Sequence, residues 1–339
     1  MNDSYLASTR QASEERFTQL KSDLEDAEPL IAGKACVYAT GSFGRFEAGS
    51  TSDLDLFIVV DSHAETKDNK IIDVRALDGI DEIRLKYQLI SAVENRGIAE
   101  FDGGGKYLEI HTIKDFTANL GSPDDDSKNT FTGRLLMLLE SRPLMGDEFY
   151  DRALMEVISA YFIDYEGNEE NFVPAFLIND IMRMWRTFCV NYEFYRTKGT
   201  VKSKIKNLKL KHSRMLTCYS AIIYLLAFFS QHGTVRPEDV RQMADITPLG
   251  RLEAISQNVF WESGEVHTDL RAAAENALRL YSEFLQLVHK GKAHLEEEFA
   301  TNQAELREKS HKFGAELANM MDAISSGARH AELFRFVLI

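Results

Sequence analysis

Residues 37–60, Val-Tyr-Ala-Thr-Gly-Ser-Phe-Gly-Arg-Phe-Glu-Ala-Gly-Ser-Thr-Ser-Asp-Leu-Asp-Leu-Phe-Ile-Val-Val, constrain this chain more than any other stretch. Two short apolar runs flank a polar, glycine-bearing segment, which predicts two strands joined by a loop. Asp53 and Asp55 open the second run, and strand side chains alternate, so both carboxylates leave from one face. Carboxylates that close repel unless something positive sits between them. Hard divalent cations such as Mg²⁺ take oxygen ligands, typically one or two carboxylates plus substrate phosphates. Gly41 and Gly44 permit a tight turn and close approach of a ligand to the backbone. Ser42 and its neighbouring amides then have the donors to hold a phosphate. A bare Asp-x-Asp would read as a solvated acidic pair. Joined to this loop, it is equipped to clamp a nucleoside triphosphate through metal.

Gly41-Ser42, Arg45, Glu47 and Ser52-Asp53-x-Asp55 resemble the signature of the polymerase-beta-like nucleotidyltransferase superfamily. The resemblance implies an α+β fold: a small mixed β-sheet with flanking helices over residues 1–160, then an all-helical domain over 161–339 completing the nucleotide cleft. It places Gly41, Ser42, Arg45 and Ser52 at the nucleotide, and Asp53 and Asp55 on catalytic Mg²⁺ or Mn²⁺. Superfamily members carry a third carboxylate on a nearby strand, and Glu109 is the candidate. The bland alternative is an edge-strand glutamate in water. Arg45 and Glu47 inside the loop look most like the uridylyl- and adenylyltransferases that modify bacterial nitrogen-regulatory proteins. Tyr107-Leu108-Glu109-Ile110-His111-Thr112 and Leu139-Glu140-Ser141-Arg142-Pro143-Leu144-Met145-Gly146-Asp147 resemble the same subgroup.

The remaining sequence sets bounds. A length of 339 residues suffices for two domains. With 44% hydrophobic and 27% charged residues the composition is that of an ordinary globular protein. A net charge of −14 argues against non-specific coating of nucleic acid. Cys36, Cys189 and Cys218 are odd in number and far apart, so they read as buried thiols in a reducing compartment. The first residues lack the pattern of a signal peptide, and Met215 to Phe229 reads as a buried helix and not a membrane span. A cytoplasmic protein is expected.

In chain order, residues 3–31 read as helical, 62–70 as a polar surface loop with a solvated His63, and Ile80, Ile83, Tyr87 and Ile90 as one helix face. A strand is expected from Lys106 to Ile113 after the turn at Asp102-Gly103-Gly104-Gly105. The acidic loop at 121–129 reads as solvated, with a metal site as the alternative. The domain boundary is expected near 150–170. Beyond it come a helix from Phe176 to Tyr195, a basic island from Arg196 to Arg214, and a long charged helix around 292–325. Within the island, Lys202 and Lys206 are four apart, so a helix would place them together. They read either as a solvated face or as ligands for triphosphate or an anionic acceptor.

The resemblance thus implies transfer of a nucleoside monophosphate from a nucleoside triphosphate, such as ATP, to an acceptor hydroxyl, with a protein as first choice of acceptor. Synthesis of a nucleotide second messenger, transfer to an RNA or tRNA end, and an inactive nucleotide-binding regulator are the alternatives. No membrane partner is expected. The tail shows no His-Asp phosphohydrolase pattern, and the chain is expected to lack the removal and sensory domains of the large uridylyltransferases.

Overall fold

A computed structural model describes residues 4–67, 70–101, 108–196, 200–257 and 268–325. Two compact units are present, Ser8–Ala160 and Tyr161–Ile339 together with Met1–Ala7.

The Ser8–Ala160 unit is built on a mixed four-stranded sheet. Its strands are β1 (Ala35–Thr40), β2 (Asp55–Val60), β5 (Ile110–Thr112) and β6 (Arg142–Met145), in the order β5-β2-β1-β6. β1 lies antiparallel to both β2 and β6, whereas β5 runs parallel to β2. All six residues of β1 are buried, which accounts for its unbroken apolar run: a central strand covered on both faces has no solvent side to encode. Val37, Ala39, Ile58, Val60 and Ile110 pack with Phe17 and Leu20 of α1 (Ser4–Asp23), with Leu24 just after it, and with Leu85, Leu89, Ala92 and Val93 of α2 (Gly79–Asn95) in one core. Each fully buried Val, Leu, Ile or Phe side chain among them contributes about 1.5–3 kcal/mol. On the opposite face Tyr38 stacks on Phe57 and its hydroxyl donates to the Gly133 carbonyl of α4 (Thr130–Glu140) at 2.9 Å. His111 and Phe116, the latter in α3 (Ile113–Ala118), continue that aromatic layer. α5 (Asp147–Ala160) closes the unit.

Three local expectations change. Where a surface loop was expected over 62–70, β3 (Ser62–Lys67) and β4 (Lys70–Arg75) pair as a separate antiparallel two-stranded sheet, and residues 68–69 lie outside the described residues. A two-stranded ribbon wet on both faces has no apolar alternation to betray it. Ile80, Ile83, Tyr87 and Ile90 share a face of α2 as expected, and that face is exposed. The acidic segment is not merely solvated, because Asp125 is fully buried in an ion pair with Arg134, also fully buried, at 2.7 Å. Burial pushes the Asp125 carboxyl up, but Arg134, Thr130 and the Gly121 amide together hold it below the usual carboxylate range. The strand expected from Lys106 is seen only over Ile110–Thr112; the glycine turn and Tyr107, at 102–107, lie outside the described residues.

The second unit is helical among its described residues: α6 (Ala175–Arg196), α7 (Val201–Lys209), α8 (Met215–His232), α9 (Pro237–Asp245), α10 (Pro248–Ser256), α11 (Thr268–His289), α12 (Lys292–Thr301) and α13 (Gln303–Ser325). The helix expected over 292–325 is therefore two, broken at Asn302. α7 and α8 are continuous through a π-helical turn, Leu210–Arg214. The run Val201–His232 is long and apolar enough to cross a membrane, yet 67% of its most apolar window is buried inside the protein, as a core helix would be. His212 sits in the π turn between the rings of Phe284 (4.5 Å) and Phe313 (5.2 Å). Burial pulls its pKa down to about 4, against the weaker upward pull of the Leu208 carbonyl.

Candidate active site

The ends of β1 and β2 meet at the pair Thr40–Asp55, and everything singled out between residues 41 and 55 connects those two ends. Directly after Thr40 the chain makes one helical turn, Gly41–Gly44. Gly41 has φ +63°, and a Cβ built on it would lie 2.6 Å from Asp55 Oδ2. No residue but glycine meets both demands, a left-handed backbone and no side chain against a carboxylate. The turn therefore seats its backbone directly on the Asp55 side chain. Gly44 is equally confined, with a built Cβ 2.0 Å from the Glu140 carbonyl oxygen.

A buried ionic bracket holds this turn. The Gly41 amide donates to Glu140 Oε1 at 3.0 Å, and Arg45 Nη1 donates to Glu140 Oε2 at 2.8 Å. Arg45 Nε donates to Glu47 Oε2 at 2.7 Å. Arg45, Glu47 and Glu140 are 7%, 3% and 1% exposed. Arg45 was expected at the triphosphate. The structure turns it inward, its guanidinium occupied by two carboxylates, so it braces the loop instead of presenting donors to an incoming anion. Phe46 follows with φ +56°, a strained conformation for a non-glycine residue. It is held between the Phe17 ring and the Arg142 guanidinium. From α1, Ser13 Oγ accepts from the Ala48 amide, and Arg16 donates to the Gly49 carbonyl while lying over Phe43.

Ser52 Oγ accepts from the Gly49 amide at 3.0 Å and closes the end of the loop. Ser42 is half-buried, and Asp53 and Asp55 are exposed. Asp53 precedes the strand, which begins at Asp55. Glu109 is exposed and directly precedes β5, whose Ile110 pairs with Ile58. By that register Glu109 stands level with Phe57 and on the face that carries Asp55. His111, next on that face, is buried. Burial lowers its pKa, with Glu109 and Asp115 pulling partly the other way. It reads as a neutral ring packed among Phe57 and Phe116.

Among the described residues no group of three or more His, Cys, Asp or Glu side chains is gathered to hold a metal ion. Asp55 and Glu109 are thus brought to one end of one sheet face, with Asp53 two residues before that strand, without forming a protein-only cage. The donor chemistry nevertheless fits Mg²⁺, which binds through one or two carboxylates and completes its shell with water and substrate phosphates. Lys202 and Lys206 belong to α7 of the other unit. Lys202 is exposed and Lys206 half-buried.

Sequence reasoning singled out Glu140 only as part of a resembling patch and missed what it does. The signal was available: a lone carboxylate ends the apolar run Leu135–Leu139, and a buried charge requires a partner. No curated protein and no solved structure matches the chain. Residues 18–113 match the family model of the nucleotidyltransferase domain, and the glycine turn, the Asp-x-Asp strand and Glu109 all fall inside that match.

Proposed function

We propose that the chain transfers a nucleoside monophosphate from a nucleoside triphosphate to an acceptor hydroxyl, with a protein as the acceptor. One observation carries the reading: within nucleotidyltransferase-domain sequence, the Gly41 turn, at positive φ, lies so close to the Asp55 carboxylate that a Cβ there would stand 2.6 Å from its Oδ2. The acceptor oxygen attacks the α-phosphorus, the α–β phosphoanhydride bond breaks, and pyrophosphate leaves with that electron pair. Asp53 and Asp55, with Glu109 beside them, would hold Mg²⁺. When bound, the ion neutralises phosphate charge and activates the attacking hydroxyl. Gly41 and Ser42 receive the phosphates, and the Arg45–Glu140 bracket fixes the turn that does so. Transfer of this kind depends on positioning and charge neutralisation, so few groups suffice when their geometry is rigid.

A second reading, with RNA or a nucleotide as acceptor, draws on Lys202 and Lys206 as a cationic contact. The experiment is incubation of the protein with each labelled triphosphate in cell lysate, with Mg²⁺ or with EDTA. Mg²⁺-dependent label on protein supports the first reading, and label on RNA or in small molecules the second. Absence of any labelled product with every triphosphate refutes both.

A further inference from the structure

The helical unit contains a cavity of about 590 Å³, within the range of small-molecule sites. Trp185, Tyr192 and Phe299 contribute rings to its wall. Arg196, Lys204, Lys211 and Arg307 contribute cations, against the single carboxylate of Glu193. That excess of positive charge stands in a chain of net charge −14. Arg196 is paired with Glu193 at 2.9 Å, and Lys204 donates to Gln303 at 2.8 Å. Lys211 and Arg307 have no carboxylate partner among the described residues. Cations lining an apolar wall repel one another, and an anionic ligand relieves that repulsion.

The helix that forms this wall sorts the basic island into two faces. Lys204, Asn207, Leu208 and Lys211 recur at three- and four-residue steps and all line the cavity. Lys202 and Lys206 fall on the other face. Leu210 and Lys211 enter the wall from the π-helical turn, and single π turns inside α-helices are frequent at functional sites.

We infer that this cavity binds a phosphorylated aromatic small molecule of the nucleotide class. The flat ring lies against Trp185, Tyr192 and Phe299, and the phosphate lies on Lys211 and Arg307, where the guanidinium fork matches its oxygens. None of these residues lies in the 18–113 match, so the inference does not depend on the transfer reading.

Trp185 is one of two tryptophans, so Trp261→Phe makes it the sole fluorescent reporter. With EDTA present, AMP, adenosine, inorganic phosphate and octyl phosphate are each titrated against this protein. AMP is expected to quench Trp185 saturably and at least ten times more tightly than adenosine or phosphate. Lys211→Ala with Arg307→Ala is expected to weaken AMP at least tenfold without changing the melting curve, while Lys211→Arg with Arg307→Lys retains binding. Adding Asp53→Asn and Asp55→Asn is expected to leave the titration unchanged. Four outcomes overturn the inference: no saturable quench, equal binding of adenosine, tighter binding of octyl phosphate, or indifference to both the alanine and the conservative pair. Loss of the quench in the aspartate variant would assign the signal to the transfer site and overturn it equally.

Discussion

Gly41→Ala tests the contact on which the functional reading rests. Two effects are superposed in that substitution. An alanine at φ +63° bears a left-handed backbone penalty of about 1–2 kcal/mol. Its Cβ also arrives 2.6 Å from Asp55 Oδ2, closer than real Cβ contacts come. Asp55 is exposed and its carboxylate is the far end of a rotatable side chain, so the clash is relieved by movement of the carboxylate, not of the sheet. The expected stability loss is therefore the backbone term alone, a fall in Tm of about 2–8 °C for a domain of this size. Function should suffer more, because a shift of about an ångström at a reacting centre costs on the order of a hundredfold in rate. Gly33→Ala is the matched control: Gly33 has φ +70° and nothing within 4 Å of a built Cβ. Both variants should melt slightly early by scanning fluorimetry. Only Gly41→Ala should lose the stabilisation by nucleoside triphosphate with Mg²⁺ and the labelling of acceptor. A Gly41→Ala protein that keeps both at the level of Gly33→Ala would refute the proposed joint role of the turn and Asp55.

Asp53→Asn combined with Asp55→Asn should abolish transfer and leave the melting temperature intact, since both side chains are exposed; residual wild-type labelling would remove the pair from the metal. Triphosphate should raise Tm only with a divalent cation, by about 2.7 kcal/mol of stabilisation at a hundredfold excess over Kd, and an equal shift in EDTA would contradict it. Glu140→Ala strands the Gly41 amide and half of the Arg45 guanidinium in the interior and should cost about 3–5 kcal/mol. Glu140→Gln, which keeps an acceptor for Gly41, should cost less in the same urea titration. His212 is held neutral with a pKa of about 4 against an ordinary 6.5, so protonation favours the unfolded chain; its stabilising share is intact above pH 6.5 and lost as pH falls toward 4. Between pH 7 and pH 5 that loss is about 2 kcal/mol, and His212→Phe should lose less stability across that interval than wild type in parallel urea titrations.

The sequence carried the centre of the candidate site better than its supports. Gly41 and Asp55 were legible because a turn and a strand start are local events, and their residue types are dictated by backbone geometry and charge spacing. Arg45 was misplaced because its partner, Glu140, is 95 residues away, and no local pattern distinguishes an arginine that binds phosphate from one that closes a buried bracket. Asp125 looked solvated among its acidic neighbours for the same reason: Arg134 lies a full loop further on. The exposed apolar face of α2 shows how far a local pattern reaches. Periodicity reports that apolar residues share a face, but not whether that face meets the core.

Glu140 and β6 also settle how far the matched span is modular. Residues 18–113 end before both of them. Excised at that limit, β1 would lose its pairing with β6 and become an open edge strand, ready to associate with other chains. The Gly41 amide and Arg45 would lose their shared acceptor at the same time. Heredity and autonomy part here: the stretch that preserves the signature is not one that could be cut out and still hold its glycine turn, and a graft of it must bring α4 and β6 along.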